Sequence, residues 1–503
     1  MSLTDILPGR AVKMAKRMIE EAEKDEHSLG AHIKLLLSER DPQLWDSVVE
    51  LAESQWDLPY LCLDFCLNLS QLLVSTDFYS PEVRPVAGFE GLPYDKSSSL
   101  AEIVRTNCAL LYAHYRDYLT LPETWGGAVS TRMIDMVAEA GFDRFRLQID
   151  GVEMVNIRPE VAAYADAAGF LFGPYDSYHS IHDPAYAGTD SSWETAQFGQ
   201  YAYDHGGVLR ADQTPIRGYL GRGKRFSPIF ARTYYDERIN QNFTDVPYNY
   251  YFIDCDAFGE YSDDYTPGRI VSQREDAEER LDRIRWLVEN KSIPVGSEGA
   301  FFLFTPILSI VEGLIHPCIA SWDDEDMRDP DSEYFPGRYW PPYEPEIHFK
   351  QVPLKQGFYH LYIDPRFKLP LYEAVFHDSV IAIPRDGGTR KFTNAQSTLE
   401  LCHLLYQTPP FYHLSLQSGE AILDEARPLY RVFRATHEHS IDYPVADFAY
   451  LTDDRLVQRS VFGTLQITAN FRDTSVMIDG QTIPAMSAVL KNGEERWEYS
   501  AER

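Results

Sequence analysis

The chain has 503 residues, 44% of them hydrophobic and 24% charged, the balance of a globular protein rather than a disordered one. A single core stops growing at about 250–300 residues, so one dominant domain with smaller attachments is expected. With 46 basic against 77 acidic residues the net charge is −31, which repels phosphate backbones and anionic lipid, so a neutral substrate is expected as partner, with no nucleic acid and no membrane.

In chain order, Met1 to Ser28 reads as a charged amphipathic helix (Ala11, Met14, Met18, Ala22) without the apolar core of a signal peptide, which makes a cytoplasmic protein the expectation. Helix-period apolar positions continue through Leu35-Leu36-Leu37, Trp45–Leu51, Leu58–Leu73 and Ala101–Tyr118, giving a helical N-terminal region over 1–125. Beyond it helix and strand patterns alternate, as in βα units. Helices are expected at Thr131–Ala140, Pro159–Ala168, Pro228–Asn242, Arg274–Asn290 and Ala421–His437. The expected strands are Phe145–Ile149, Phe170–Gly173, Tyr250–Ile253, Ile293–Val295, Leu371–Val375, Val380–Ile383 and Phe411–Leu416. The fold expected for 126–445 is therefore an α/β (β/α)8 TIM-type barrel. From 446 to 503 short β patterns (Thr464–Asn470, Ser475–Ile478, Ala485–Leu490) return, with Asp479-Gly480 as a tight hairpin signal, and a small β-sandwich domain is expected.

In such barrels the chemistry sits at the C-terminal ends of the strands. The run Tyr250-Tyr251-Phe252-Ile253-Asp254-Cys255-Asp256 ends an apolar strand with two acids, and period-two alternation would put Asp254 and Asp256 on one face. One βα unit later, Val295-Gly296-Ser297-Glu298-Gly299 ends with Glu298. Neighbouring strands lie about 4.8 Å apart, so these carboxyls can meet over one sugar. Glycoside hydrolysis needs such a pair: one carboxylate attacks or activates water, and the other protonates the leaving oxygen. Asp254, directly after the apolar strand, is the better nucleophile; Asp256, entering a loop, suits a substrate hydroxyl.

Further polar and aromatic groups fit a carbohydrate pocket. Arg146, Gln148 and Asp150 share a strand face; Tyr175, Asp176 and Tyr178 follow the next strand; His377 and Asp378 follow Leu371–Phe376. Trp322 to Tyr343, acidic and aromatic, reads as a lid over the barrel mouth. Gly218 to Lys224 satisfies a phosphate-loop spacing, but Arg225 stands where a Ser or Thr would hold magnesium. His179, His182, His437 and His439 come without a further ligand set, and the six cysteines form no CxxC pair. No cofactor and no metal are expected.

The runs Tyr251 to Glu260, Arg274-Glu275-Asp276 and Gly296-Ser297-Glu298-Gly299 resemble the catalytic core of bacterial glycosidases related to the endo-α-N-acetylgalactosaminidases, glycoside hydrolase families 101 and 129. Leu369 to Asp378 resembles a further strand of that group, and Phe471 to Pro484 its C-terminal β-domain. The resemblance implies a retaining hydrolase of α-linked glycosides, with an Asp nucleophile at Asp254 or Asp256 and Glu298 as acid/base. The alternative from another class is a catalytically silent sugar-binding or scaffold protein on the same barrel.

Overall fold

The computed structural model describes residues 7, 9–40, 42–53, 111–121, 130–149, 152, 155, 160–186, 194–221, 223–244, 246–299, 301–313, 324–336, 351–384, 388–414 and 419–502. The helix expected at Leu58–Leu73 falls outside them, as do Asp150 and Trp322.

Three helices open the chain, α1 (Ala11–Lys24), α2 (Leu29–Arg40) and α3 (Pro42–Glu53). Met14, Ala15 and Met18 of α1 face one way at helical spacing, and they bury against Ile33 and Leu37, Val48 and Leu51, and the later Leu111 and Tyr115.

The alternating region then begins. Helix α4 (Thr131–Glu139) starts where the Ser130 hydroxyl accepts the Met133 N–H, and Gly141, at φ +88°, turns the chain toward β1 (Arg146–Ile149). Helix α5 (Glu160–Ala167) feeds β2 (Leu171–Ser177) in the same way through Gly169 at φ +81°. An insertion follows, with β3 (Ser180–His182), α6 (Gly199–His205) and β4 (Gly223–Arg225). Helix α7 (Pro228–Asn242), with proline in its first turn, leads to β5 (Tyr251–Asp254), and the hairpin of β6 (Asp264–Thr266) and β7 (Arg269–Val271) comes next. Helix α8 (Gln273–Lys291) opens with a reciprocal capping box between Ser272 and Glu275, and the chain then passes into β8 (Val295–Glu298), β9 (Ile310–Glu312) and β10 (Ile381–Ile383).

β1, β2, β5, β8, β9 and β10 pair in that order, all parallel, in one sheet. Flat, this sheet would hold β1 and β9 about 19 Å apart, four spacings of ~4.8 Å. Arg146 of β1 nevertheless forms an ion pair with Glu312 of β9, so the sheet is curled into a half-barrel. Alternation along β5 sets the two layers. Tyr251 and Ile253 pack outward with Tyr235 and Ile239 of α7 and Ile284 and Leu287 of α8, while Tyr250 and Phe252 face inward with Ile310 and Ile383.

Two expected strands are not strands over their described residues. Residues Glu373–Phe376 form a helical turn, in which Tyr372 and Phe376, four apart, bring their rings to 4.9 Å. Leu, Glu and Ala in this run favour helix, and Val375 is its single β-branched residue. Phe411 to Leu414 lies beside Thr389 without a ladder: the Thr389 N–H donates to the Phe411 carbonyl, but Phe411 N–H finds the Thr389 hydroxyl. Pro409 and Pro410 just before it offer no N–H to a neighbouring strand.

Helices α9 (Gln396–Tyr406) and α10 (Gly419–His437) precede a five-stranded antiparallel sheet. It is formed by β11 (Val445–Tyr450), β12 (Val457–Phe462), β13 (Leu465–Asn470), β16 (Ser487–Asn492) and β17 (Glu495–Ser500), with a hairpin of β14 (Val476–Ile478) and β15 (Gln481–Ile483) between β13 and β16. Asp479 and Gly480, at φ +52° and +76°, make that hairpin's two-residue turn. Where a sandwich of two sheets was expected, this sheet packs onto helices: Phe462, Leu465, Ile467 and Leu490 lie against Leu401, Leu405, Leu429 and Phe433 of α9 and α10, and the small sheet of β14 and β15 lies against β13 and β16. Among the described residues no helix is long and apolar enough to cross a membrane.

His437, at the end of α10, is half-buried and stacks on Phe433, with ring centroids 4.7 Å apart. Burial, with His377 and Arg434 nearby, takes its pKa from the ordinary 6.5 to about 4. The unfolded chain therefore binds this proton first as pH falls, so the contribution to stability is intact above about 6.5 and lost on the way down to about 4. The expected size is on the order of 3 kcal/mol. Thermal melts at pH 7 and pH 4 should show a smaller acid-induced fall in Tm for His437→Gln than for the parent.

Candidate active site

Asp254 stands at the C-terminal end of β5 and Glu298 at the end of the adjacent β8. Tyr251, Phe252 and Ile253 pair with Val295, Gly296 and Ser297, so the register runs on to bring the two acids side by side. One oxygen of each carboxylate and the Cys255 sulfur lie within 4.8 Å of one another, and all three residues are half-buried. Tyr175, on β2 at the other side of β5, donates its hydroxyl to Asp254 Oδ2 at 2.7 Å. Among the described residues the same three atoms are the one cluster of acid, thiol and imidazole donors compact enough to hold a metal ion.

The sheet interior beside them is polar and tightly fitted. The Arg146 guanidinium pairs with the fully buried Glu312 and donates to the Tyr250 hydroxyl at 2.7 Å and to Gln148 at 3.2 Å. Tyr250 fits only because glycines flank it: a Cβ at Gly173 would come within 2.0 Å of its carbonyl oxygen, and one at Gly296 within 2.0 Å of its hydroxyl.

Asp256 is elsewhere. Cys255 adopts a left-handed φ of +62°, which ends the strand alternation and turns the next residue outward, so Asp254 and Asp256 do not share a face. Asp256 is 0% exposed. Its oxygens accept from Arg283 Nε at 2.6 Å, from Arg280 at 3.2 Å and from a second nitrogen of Arg283. Both arginines come from α8 and are themselves fully buried.

The other sequence-derived site residues divide similarly. Arg146 and Tyr175 belong to the half-barrel interior. Asp176 and Tyr178 do not: Asp176 points into the helix layer, where it accepts from the Tyr178 hydroxyl at 2.8 Å and the Tyr251 hydroxyl at 2.9 Å and pairs with Arg238 at 3.0 Å. One-residue alternation along β2 places Asp176 on the opposite face from Tyr175. His377 and the exposed Asp378 precede β10 rather than follow a strand, which puts them at the N-terminal end of the sheet. There the His377 Nδ1 lies 2.8 Å from the Tyr443 carbonyl and its ring lies on Phe462.

Of the segment expected as a lid, 324–336 is described; Met327 and Phe335 are buried, and Met327 packs with Val352, Leu354 and Phe392. Lys224, in the phosphate-loop look-alike, donates to the Tyr203 carbonyl at 2.7 Å with its ammonium over that ring. Sequence reasoning missed Glu312, although Ile310-Val311-Glu312-Gly313 repeats the apolar-acid-glycine ending of β8, and it took Tyr250 as merely apolar.

The family model described as glycosyl hydrolases related to GH101 family, GH129, matches residues 136–461. No curated protein matches. Among solved structures, the α-N-acetylgalactosaminidase NagBb from Bifidobacterium bifidum is similar in its ligand-free form, with 18% identity over 74% of this chain and 54% of that one and a TM-score of 0.46. Its GalNAc complex gives 17% identity over 71% and 52%, with a TM-score of 0.47. A GH36 α-galactosidase AgaA variant from Geobacillus stearothermophilus in complex with raffinose gives 10% identity over 75% and 52%, with a TM-score of 0.39. The chain spans about half the length of each.

Removing the Asp256 charge strands the buried Arg283 and leaves Arg280 with Asp276 alone, and breaking such a buried pair costs about 3–5 kcal/mol. Urea unfolding of Asp256→Asn should show a loss of that order, and Asp254→Asn, half-exposed, should lose much less. Equal stability of Asp256→Asn and parent would contradict the buried ion-pair assignment.

Proposed function

Because the chain belongs to the glycosyl hydrolases related to the GH101 family, GH129, we propose that it is a glycosidase that hydrolyses α-linked glycosides with retention of configuration, on a half-barrel that forms part of a (β/α)8 barrel. Asp254 is the nucleophile and Glu298 the acid/base. The observation that carries this reading is the approach of the two carboxylates at neighbouring strand ends, one oxygen of each lying within 4.8 Å of the other. Retaining enzymes hold the pair about 5–5.5 Å apart, and inverting enzymes leave about 6.5–9.5 Å to fit a water.

In the first step an Asp254 oxygen attacks the anomeric carbon, the glycosidic C–O bond breaks, and Glu298 gives its proton to the departing oxygen. In the second step Glu298 takes a proton from water, whose oxygen displaces Asp254 from the same carbon. The Tyr175 hydroxyl on Asp254 Oδ2 holds the nucleophile's orientation. Asp256, buried and paired with two arginines, supports the strand end instead of attacking. A neutral sugar also suits a chain of net charge −31.

A panel of aryl α-glycosides tests this. Glu298→Gln should lower kcat by about 10²–10⁴-fold. Asp254→Ala should be inactive until azide is added, and should then yield a glycosyl azide of inverted configuration. Rescue of Asp256→Ala, with none for Asp254→Ala, would reverse the assignment of the nucleophile.

A further inference from the structure

The residue between the two aspartates has its own geometry. The Cys255 sulfur lies 3.3 Å from Asp254 Oδ2 and 3.3 Å from Glu298 Oε2, so it stands between the two carboxylates. Its backbone is held at φ +62°, in the left-handed region that is strained for a non-glycine residue. Glycine would relieve that strain but would remove the sulfur. Burial and the two carboxylates push the thiol well above its ordinary range. It therefore stays S–H, a weak donor whose sulfur is also a weak acceptor.

We propose that Cys255 is a positioning residue whose thiol bridges Asp254 and Glu298. Its single S–H lies within donating reach of both Asp254 Oδ2 and Glu298 Oε2 and serves one of them at a time. The catalytic consequence rests on the glycosidase reading; the bridge itself does not. The hydroxyl of Tyr175 and the thiol of Cys255 approach the same Asp254 oxygen, so the nucleophile is tethered from β2 and from its own strand end. Glu298 is drawn to the same sulfur, which keeps the two carboxyls at a working separation.

The Cys255→Ala variant keeps a side chain with the same left-handed demand on the backbone and removes only the thiol, which separates the bridge from the turn. The S–H stretching band of Cys255 can be isolated as the infrared difference between the parent and Cys255→Ala, because the other cysteines cancel. It should be displaced toward hydrogen-bonded frequencies, and it should shift in both Asp254→Asn and Glu298→Gln. In turnover of an aryl α-glycoside, Cys255→Ala should lose on the order of 10–100-fold in kcat/KM with its Tm nearly unchanged, and Cys255→Ser, which restores a donor, should recover part of that loss. A band at the free-thiol position that neither variant moves would overturn the bridge, as would a Cys255→Ala enzyme as fast as the parent. If the parent turns over none of the glycosides, the glycosidase reading fails, and the infrared band alone decides the bridge.

Discussion

The ion pair between Arg146 and Glu312 sets the shape on which the candidate site depends. It joins the first strand of the sheet to the fifth in spatial order, which only a curled sheet allows. Its components are nearly or fully buried, and the Tyr250 hydroxyl and Gln148 take up further hydrogen-bonding capacity of the guanidinium. Losing either partner would leave a charge stranded in the interior. Two glycines, Gly173 and Gly296, are required by the same arrangement, because Tyr250 occupies the space where their side chains would be. The curl then turns the ends of β5 and β8 toward a common interior, and their acids turn with them.

Two aspartates that are nearly neighbours in sequence have opposite surroundings. Asp254 is held by neutral donors, a phenol and a thiol, and remains partly open. Asp256 is closed off and met by two guanidiniums. Neutral donors orient a carboxylate without neutralising it, whereas a bidentate guanidinium fixes its charge in a structural pair. One left-handed residue, Cys255, separates the two environments.

Much of this was legible in the sequence. Helix α7 lies where its proline and apolar pattern place it, and α8 extends only one residue beyond expectation at each end. The strand ends at Asp254 and Glu298 follow from apolar runs that stop at an acid, and the Asp479-Gly480 turn from its dipeptide. What was not legible depends on tertiary context. Leu371 to Phe376 has enough apolar residues for a strand, but its order and composition suit a helical turn, and that error carried His377 and Asp378 to the wrong end of the sheet. Period-two alternation holds inside a strand and fails at a left-handed residue, so Asp256 was placed on the wrong face. Asp176 shows the rule where it does hold: next to Tyr175 in a strand, it had to face the other layer.

The central claim, that Asp254 attacks the sugar while Glu298 serves the leaving group, is tested most directly by trapping the glycosyl-enzyme. A fluorinated α-glycosyl fluoride that forms the intermediate faster than it is hydrolysed would be incubated with the enzyme, and the peptides mapped by mass spectrometry. The account predicts one added sugar per chain, as an ester on Asp254, accumulating even in the Glu298→Gln variant, since fluoride leaves without a proton. A sugar on Asp256, or turnover that leaves every carboxylate unlabelled and gives product of inverted configuration, would contradict it.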